Sequence, residues 1–289
     1  MISEIWALTI REVKKWAREP ILVFMMIIQP VIWLGLFGKA FNLTGLVSIP
    51  PQLLNQLPPY VTTQIAQIFN QMISSVFGGT TDYFTYMAAG MLSVIILFTS
   101  MFSGMSIVWD RRFGFLNKLL VAPIARGSIV IAKVTSSVIR GLLQAALVFS
   151  IAFAFGLQAG NAFNVLDLLG VFTGLFLLSI GLSSLFIALT IRIKSWEAHM
   201  AAVNLLNLPL MFASSALFPI SMMPDWLQSI AKVNPISYAS DLVRAFILHS
   251  SSVGLDISRI ALNFEVLIAF AVIFSFIGIV LAERGLRKG

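Results

Sequence analysis

Residues 83–108 read YFTYMAAGMLSVIILFTSMFSGMSIV and hold no charged side chain over 26 consecutive positions. A run of this length is sufficient to cross a bilayer as a helix, which takes about 20 mostly apolar residues. The whole chain has the same character, with a mean hydropathy of +0.94, 58% hydrophobic residues and 11% charged residues. These values lie outside the range of soluble domains. The sequence therefore predicts an all-α integral membrane protein.

Five further apolar runs have the length of a membrane span, which makes six predicted transmembrane helices in all. Their bounds are about residues 20–41, 83–108, 128–155, 166–191, 198–217 and 264–282. The intervening pattern predicts an interfacial helix over 1–19, an outer segment over 42–82 with a surface helix over 60–77, a cytoplasmic helix over 110–123 and an outer hairpin over 218–245. Residues 1–289 thus form one predicted transmembrane domain.

The basic residues predict the orientation of the spans. Of the 19 Lys and Arg residues, 14 fall in four blocks: residues 1–19, residues 111–133, the pair Arg192 and Lys194, and residues 283–289. Because basic residues concentrate on the cytoplasmic side of membrane proteins, we expect a multi-pass protein of the cell membrane with both termini in the cytoplasm. The net charge of +7 is distributed in short blocks between apolar runs, so it indicates topology and not nucleic-acid binding.

Several chemistries have no support in the residues. The chain has no cysteine, and its two histidines, His199 and His249, have no partner at metal-ligand spacing. Gly38 and Lys39 are followed by Ala40 within an apolar run, which does not match a phosphate-binding loop. We therefore predict no catalytic residue, no metal site and no cofactor bound by this chain.

Residues 110–123 read DRRFGFLNKLLVAP and are called the coupling segment below. The pattern is a charged start, a short amphipathic helix and a proline stop, which is typical of a helix lying along the membrane surface. Such a helix could offer Phe113, Phe115, Leu116 and Leu120 to a partner protein. A solvated connecting loop is the alternative that the residues by themselves leave open.

Residues 217–244 read LFPISMMPDWLQSIAKVNPISYASDLVR and predict a broken hairpin on the outer side. Pro219 and Pro224 interrupt helicity, and Trp226 suits a membrane–water interface. Asn234 followed by proline predicts the start of a short helix. On that helix Asp241 and Arg244 lie one turn apart, on a single face.

Together these stretches resemble the membrane-spanning subunit of ABC-2 type exporters, in the drug-resistance and nodulation-factor-export branch. The coupling segment is similar to the family pattern at Asp110, Arg111, Gly114, Leu119, Leu120, Val121 and Pro123, with Lys133 further on. It departs from that pattern at Arg112, Phe115 and Ala122. The order Phe-Pro, Pro-x-Trp-Leu, Asn-Pro-x-Ser-Tyr, Asp and Arg resembles the re-entrant outer hairpin of the same family.

The resemblance implies partners and sites. A separate ATP-binding subunit, in two copies that hold the ATP and Mg, would dock on Asp110, Arg111, Arg112, Phe113, Gly114, Phe115, Leu116, Asn117, Leu120 and Pro123. The outer hairpin would comprise Phe218, Pro219, Pro224, Trp226, Asn234, Pro235, Tyr238, Asp241 and Arg244. A second permease copy would pair with the first so that spans one and five enclose a path in the lipid membrane. The substrate would be drug-like, lipid-like or a glycan, exported without an ATPase site in this chain.

Two polar residues within the spans form a candidate intramembrane polar site. Gln29 precedes Pro30, which should kink the first span, and needs a partner inside the bundle because lipid offers none. Arg140 either lines a wet cavity or serves packing by reaching a carbonyl or Glu197. An ion-coupled secondary transporter is the main alternative function, but acidic residues in mid-span and paired inverted repeats are not evident.

Overall fold

The computed structural model describes residues 2–40, 58–121, 125–193, 195–250 and 254–285, and within these ranges the chain is helical, without a strand. The helices are α1 (Ile2–Ala17), α2 (Pro20–Trp33), α3 (Pro59–Val76), α4 (Tyr83–Arg112), α5 (Phe115–Val121), α6 (Arg126–Ala154), α7 (Val165–Thr190), α8 (Trp196–Phe212), α9 (Asp225–Ala231), α10 (Pro235–Ile247) and α11 (Ile257–Gly285). A π-helical stretch, Leu34–Ala40, continues α2, and a 3-10 turn, Ile220–Met222, precedes α9. Pro123 lies outside the described residues, as do residues 42–57 of the outer segment over 42–82 and the side chains of Asn117 and Leu120.

Four of the described helices are long and apolar enough to cross a membrane, namely α4, α6, α7 and α11. They confirm the prediction of an all-α membrane fold. Helices α2 and α8 stand where spans one and five were expected, but with 14 and 17 residues they are shorter. The count of six spans therefore stays a prediction, as does the re-entrant path of the outer hairpin.

Two of the long helices, α4 and α7, begin where polar side chains satisfy their first backbone N–H groups. Asp82 accepts hydrogen bonds from the backbone N–H of Phe84 at 3.2 Å and of Thr85 at 3.0 Å at the start of α4. At the start of α7, Asn164 and Asp167 form a reciprocal capping box. Because a bilayer offers no water to these groups, such caps define where a span starts.

Helix α4 lies at the centre of the bundle and is buried along most of its length against α6, α7 and α10. Small residues lie where other helices approach closely, as is common between membrane-spanning helices. Gly174 is covered by the side chain of Leu242, and Gly181 by the ring of Phe270. This packing holds α10 and α11 against α7.

Candidate functional site

The bundle has two ends of different chemistry. Helices α1 and α5 lie at the end called the inner end, which the basic residues predict to be cytoplasmic. Helices α3, α9 and α10 lie at the opposite, outer end. The coupling segment belongs to the inner end and the outer hairpin to the other, so the two candidate sites are separated by the length of the spans.

The coupling segment is a sharp corner followed by a helix that lies against the bundle. Helix α4 ends at Arg112, and Gly114 turns the chain with a φ of 69°, a conformation that favours glycine. The backbone N–H of Gly114 donates to the carbonyl of Arg111 at 3.1 Å. Beyond the corner, Leu116 and Leu119 of α5 are buried. Within the segment predicted to be helical over 110–123, the structure has a helix over Phe115–Val121, while residues 110–112 belong to the end of α4.

The exposed face of the coupling segment differs from the expected one. Leu116 is only 3% exposed and packs with Ile107 and Val130 in the bundle, and Asp110 is 2% exposed. Neither presents its side chain to a partner, which corrects their placement on the docking surface. Among the side chains of this segment that the structure describes, those of Arg112, Phe113, Lys118 and Val121 are exposed, and Phe113 is 77% exposed.

A buried ion network joins three helices behind this surface. The ammonium group of Lys133 on α6 lies 2.5 Å from Asp110 on α4, 2.9 Å from the hydroxyl of Ser106 and 3.4 Å from Glu12 on α1. Arg11 binds Glu12 at 2.8 Å and Asp110 at 3.5 Å. Lys133, Asp110 and Glu12 are buried while the side chain of Arg11 is 34% exposed, and the ion pairs together with the bond to Ser106 offset part of the cost of burying these charges.

Two further contacts tie the coupling segment to its neighbours. The guanidinium of Arg11 lies 3.5 Å from the centre of the Phe115 ring, so α1 is stacked on α5. Arg111 donates to the carbonyls of Ile193 at 2.7 Å and Ile191 at 2.8 Å, which are left free at the end of α7. The inner ends of α1, α4, α5 and α7 are therefore joined by charge and hydrogen bonding.

At the outer end, the chain leaves α8 at Phe212 in an irregular segment whose carbonyls need donors. Tyr86 donates its hydroxyl to the carbonyl of Ser215 at 2.8 Å, and Tyr83 donates to Leu217 at 3.2 Å. Asn234 donates to Leu210 at 2.8 Å and to Ala213 at 2.6 Å, while its side-chain oxygen caps α10. These bonds satisfy carbonyls that a bilayer would otherwise leave unpaired.

Arg244 is the centre of the outer hairpin and is 4% exposed. Its guanidinium donates to the carbonyls of Ser215 at 2.6 Å, Ala216 at 2.8 Å and Tyr86 at 3.1 Å. It also lies 3.6 Å from the centre of the Tyr86 ring and 3.4 Å from Asp241. The predicted pairing of Asp241 with Arg244 on one helix face is confirmed, although most of the arginine's bonds go to backbone carbonyls.

The other residues named in the outer hairpin are divided between core and surface. Pro219 and Pro235 are buried and Phe218 is half-buried, while Pro224 is exposed and Trp226 is 67% exposed. Tyr238 donates its hydroxyl to the carbonyl of Lys232 at 2.6 Å, which closes the turn between α9 and α10. Sequence reasoning missed Tyr83, Tyr86 and Ser215. For two of them the sequence gives an indication, because Tyr83 and Tyr86 stand at the start of a predicted span.

Arg140 and Gln29 do not share one site. Arg140 is buried on α6 and donates from Nε to the carbonyl of Ser136 at 3.1 Å, while Glu197 is exposed and is not its partner. Gln29 is exposed on α2, so it does not find a partner inside the bundle of one chain. The buried amide that contacts α2 is Gln144, which the sequence analysis did not single out.

Together these features define a multi-spanning helical membrane protein. A surface helix is held by charged side chains at one end of the bundle, and a hydrogen-bonded hairpin lies at the other. The chain belongs to the ABC-2 type transporter family, whose profile matches residues 3–248. This confirms the family that the sequence resembles.

Named relatives agree with this assignment. The chain is 30% identical over 292 residues to the protein named transport permease ycf38 of Cyanophora paradoxa, covering 99% of this chain and 90% of that one. It is 24% identical over 262 residues to nodulation protein J of Sinorhizobium fredii, covering 89% of this chain and 95% of the relative. It is 23% identical over 186 residues to the probable multidrug ABC transporter permease YbhR of Escherichia coli K12, covering 64% of this chain and 49% of the relative.

Proposed function

We propose that this chain is the permease of an ATP-driven exporter, in which a separate ATP-binding subunit docks on the coupling segment. The single observation that carries the proposal is the surface formed by α5 and the corner before it, where Phe113 is exposed while Phe115 of α5 is stacked under Arg11 of α1. A helix of this kind receives a partner and transmits its motion to the bundle. The chain supplies the path, and the partner supplies the ATP and Mg chemistry.

The contacts of the inner end support a mechanism. A push on α5 reaches α4 through the tight corner at Gly114 and reaches α1 through the stacking of Arg11 on Phe115. Lys133, bound to Asp110 and Glu12, makes the inner ends of α1, α4 and α6 move as one unit. ATP-driven closure of the partner subunits would shift these helices between two discrete arrangements, as in other rigid-body transitions.

Two copies of the permease would complete the path. The helices expected beside it, α2 and α8, carry apolar side chains that the described part of the chain leaves exposed: Phe24 is 60% exposed and Leu205 is 75% exposed. Pairing across a two-fold axis would bury these faces against the second copy. The docking of one ATP-binding subunit on each coupling segment then gives two copies of that subunit.

The substrate class comes from the relatives. YbhR is named as a multidrug permease and another relative as nodulation protein J. By extension we propose a drug-like, lipid-like or glycan substrate for this chain, moved out of the cytoplasm or the inner leaflet. An apolar bundle with few charges in its spans is suited to amphipathic molecules.

The test uses the tagged chain purified from its native membranes and a matched pair of variants. Phe113→Asp places a charge on the docking face, and Val233→Asp places one on the outer hairpin, where Val233 is equally exposed at 77%. We expect an ATP-hydrolysing subunit to co-purify with the wild type and with Val233→Asp, but not with Phe113→Asp.

Two results would overturn the proposal. One is the absence of any ATP-hydrolysing subunit in the wild-type preparation. The other is equal recovery of that subunit with Phe113→Asp and Val233→Asp. Transport that survives ATP depletion and collapses when the ion gradient is dissipated would favour the ion-coupled alternative.

A further inference from the structure

A cavity of about 260 Å³ opens behind α1, between that helix and the inner ends of α2, α4 and α6. Its wall includes the side chains of Trp16, Met26, Phe102, Trp109 and Arg140. It is separate from the coupling segment and from the outer hairpin. Glu12, Lys15, Glu19 and Ser106 complete the wall, so apolar and aromatic side chains are combined with a few polar and charged groups, as is usual in a small-ligand site.

The guanidinium of Arg140 lies in this wall and has no ion-pair partner among the described residues. The side chain is 7% exposed and sits in the middle of the span-forming helix α6. Within the part of the chain that the structure describes, its only hydrogen bond runs from Nε to Ser136, and no carboxylate lies within ion-pair distance. The two terminal nitrogens therefore lack acceptors. A buried guanidinium is costly unless paired, so its partner is expected from outside the chain.

Trp16 supplies a second unpartnered donor to the same cavity. Its indole Nε1 is buried, and among the described residues it has no hydrogen-bond acceptor. The carboxylate of Glu12 also faces the cavity, but Arg11 and Lys133 already bind it, at 2.8 Å and 3.4 Å. The remaining acidic group of the wall, Glu19, is exposed at the mouth. The carboxylate of Glu12 is thus taken up by ion pairs, and among the described residues the interior leaves no free, negatively charged acceptor group for Arg140 and Trp16.

The position of the cavity indicates where that group comes from. Helix α1 has the composition of a helix lying in the membrane interface, with Trp6 exposed and Lys14 and Lys15 on its polar face. The mouth of the space behind such a helix, beside Lys15 and Glu19, lies near the lipid headgroups, and Arg140 lies deeper, in the middle of α6. Met26, Phe102 and Trp109 provide an apolar surface for the part of the molecule next to the charge.

We propose that this cavity binds the phosphate headgroup of an amphipathic molecule from the surrounding leaflet. The guanidinium of Arg140 binds two phosphate oxygens with its terminal nitrogens, a geometry that arginine favours and lysine cannot reproduce. The indole N–H of Trp16 donates to a third oxygen. The site goes beyond ATP-driven transport, because it requires neither the ATP-binding subunit nor a second copy.

The test is a binding titration on the purified chain in detergent, where Trp16 and Trp109 report on the cavity. The probe is a short-chain phosphatidic acid with brominated acyl chains, which quench tryptophan fluorescence on contact. We expect saturable quenching in the wild type and a smaller saturable component in Trp16→Phe. Arg140→Gln should bind about tenfold more weakly, and Arg140→Lys should bind less tightly than the wild type.

Matched controls separate charge at the site from charge in general. Lys232→Gln removes one exposed positive charge at the outer end and should bind as the wild type does. Met26→Phe narrows the cavity and leaves Arg140 in place, so it should weaken binding by sterics. The melting temperature of each variant shows that it is folded.

The other outcomes are decisive as well. Brominated diacylglycerol, which lacks the phosphate, should not give saturable quenching. Equal quenching by that neutral lipid, or unchanged binding by Arg140→Gln, would overturn the proposal. Inorganic phosphate should compete weakly, and competition as tight as that of the lipid would show that the site takes a free anion, which would contradict a headgroup site.

Discussion

The side-chain amide of Gln144 on α6 donates a hydrogen bond to the main-chain carbonyl of Met26 on α2. Met26 lies four residues before Pro30, which has no N–H and leaves that carbonyl without its helical donor. Thr99 donates to the amide oxygen of Gln144 at 2.7 Å and orients it. One buried amide thus repairs a proline break and joins three helices.

This relationship predicts the effect of Gln144→Leu. The variant leaves the carbonyl of Met26 unpaired in an apolar environment, so we expect its free energy of unfolding to fall by roughly 1–3 kcal/mol. Denaturant titration in detergent micelles measures the loss. In a Pro30→Ala background, the new N–H can satisfy the same carbonyl, and the loss should be smaller. An equal loss in both backgrounds would contradict the explanation.

The buried ion network predicts a large effect of Lys133→Met. This variant leaves the carboxylates of Asp110 and Glu12 with Arg11 as their remaining cation, so we expect a loss of about 3–5 kcal/mol in stability. Lys118→Met is the control, because Lys118 is exposed on α5. Combining Lys133→Met with Asp110→Leu should recover part of the loss. Equal unfolding curves for the two lysine variants would show that the network is not structural.

Gly90 makes the closest approach between α4 and the outer hairpin. A β-carbon at this position would lie 2.0 Å from the carbonyl oxygen of Ala216, which is backbone and cannot move aside. Gly90→Ala should therefore destabilise the protein by about 1–3 kcal/mol through overpacking. Gly35→Ala is the control, because nothing lies within 4 Å of that position. Similar melting temperatures for the two variants would disprove the close contact.

The predicted orientation can be tested directly, because the chain contains no cysteine. Phe113→Cys and Val233→Cys introduce single thiols at equally exposed positions at opposite ends of the bundle. A membrane-impermeant maleimide added to intact cells should label Val233→Cys, and it should label Phe113→Cys only after permeabilisation. The reverse pattern would place the termini outside.

The proposed pairing of two copies predicts a specific cross-link. Side chains near a two-fold axis meet their own copies, so Leu205→Cys on α8 should form an intermolecular disulfide under mild oxidation. Val272→Cys on α11, where Val272 is 63% exposed, is the control and should stay monomeric. Gel electrophoresis without reductant distinguishes the two. A dimer band for Val272→Cys alone would place the interface on α11.

The sequence predicts the elements of this fold well where the signal is local. Helix α2 begins at Pro20 and α10 at Pro235, as proline at a first helical turn indicates. The uncharged run over 83–108 lies within α4, which extends from Tyr83 to Arg112. Hydropathy, caps and prolines act within a few residues of where they are read, so these bounds need no knowledge of the tertiary structure.

The sequence does not show which side of a helix faces its neighbours. Lys133 and Glu12 are 121 positions apart, and nothing near either residue indicates that they meet. The same reason explains the coupling segment, where Leu116 was assigned to the docking face and is buried in the bundle. A short amphipathic helix has an apolar face in either case. Only the packed structure decides whether that face meets a partner protein or the chain's own core.

The bonds of the outer hairpin also bear on how the protein is made. The carbonyl of Ala216 can accept its hydrogen bond from Arg244 only after that residue has been synthesised, 28 residues later. At translation rates of 5–20 residues per second, that interval is about one to six seconds. Tyr83 and Tyr86 are already present and can hold Leu217 and Ser215 in the meantime. The outer end of α8 is therefore completed late in biogenesis, and a nascent chain that stops before Arg244 would be recognisable to quality-control proteases by its unpaired backbone.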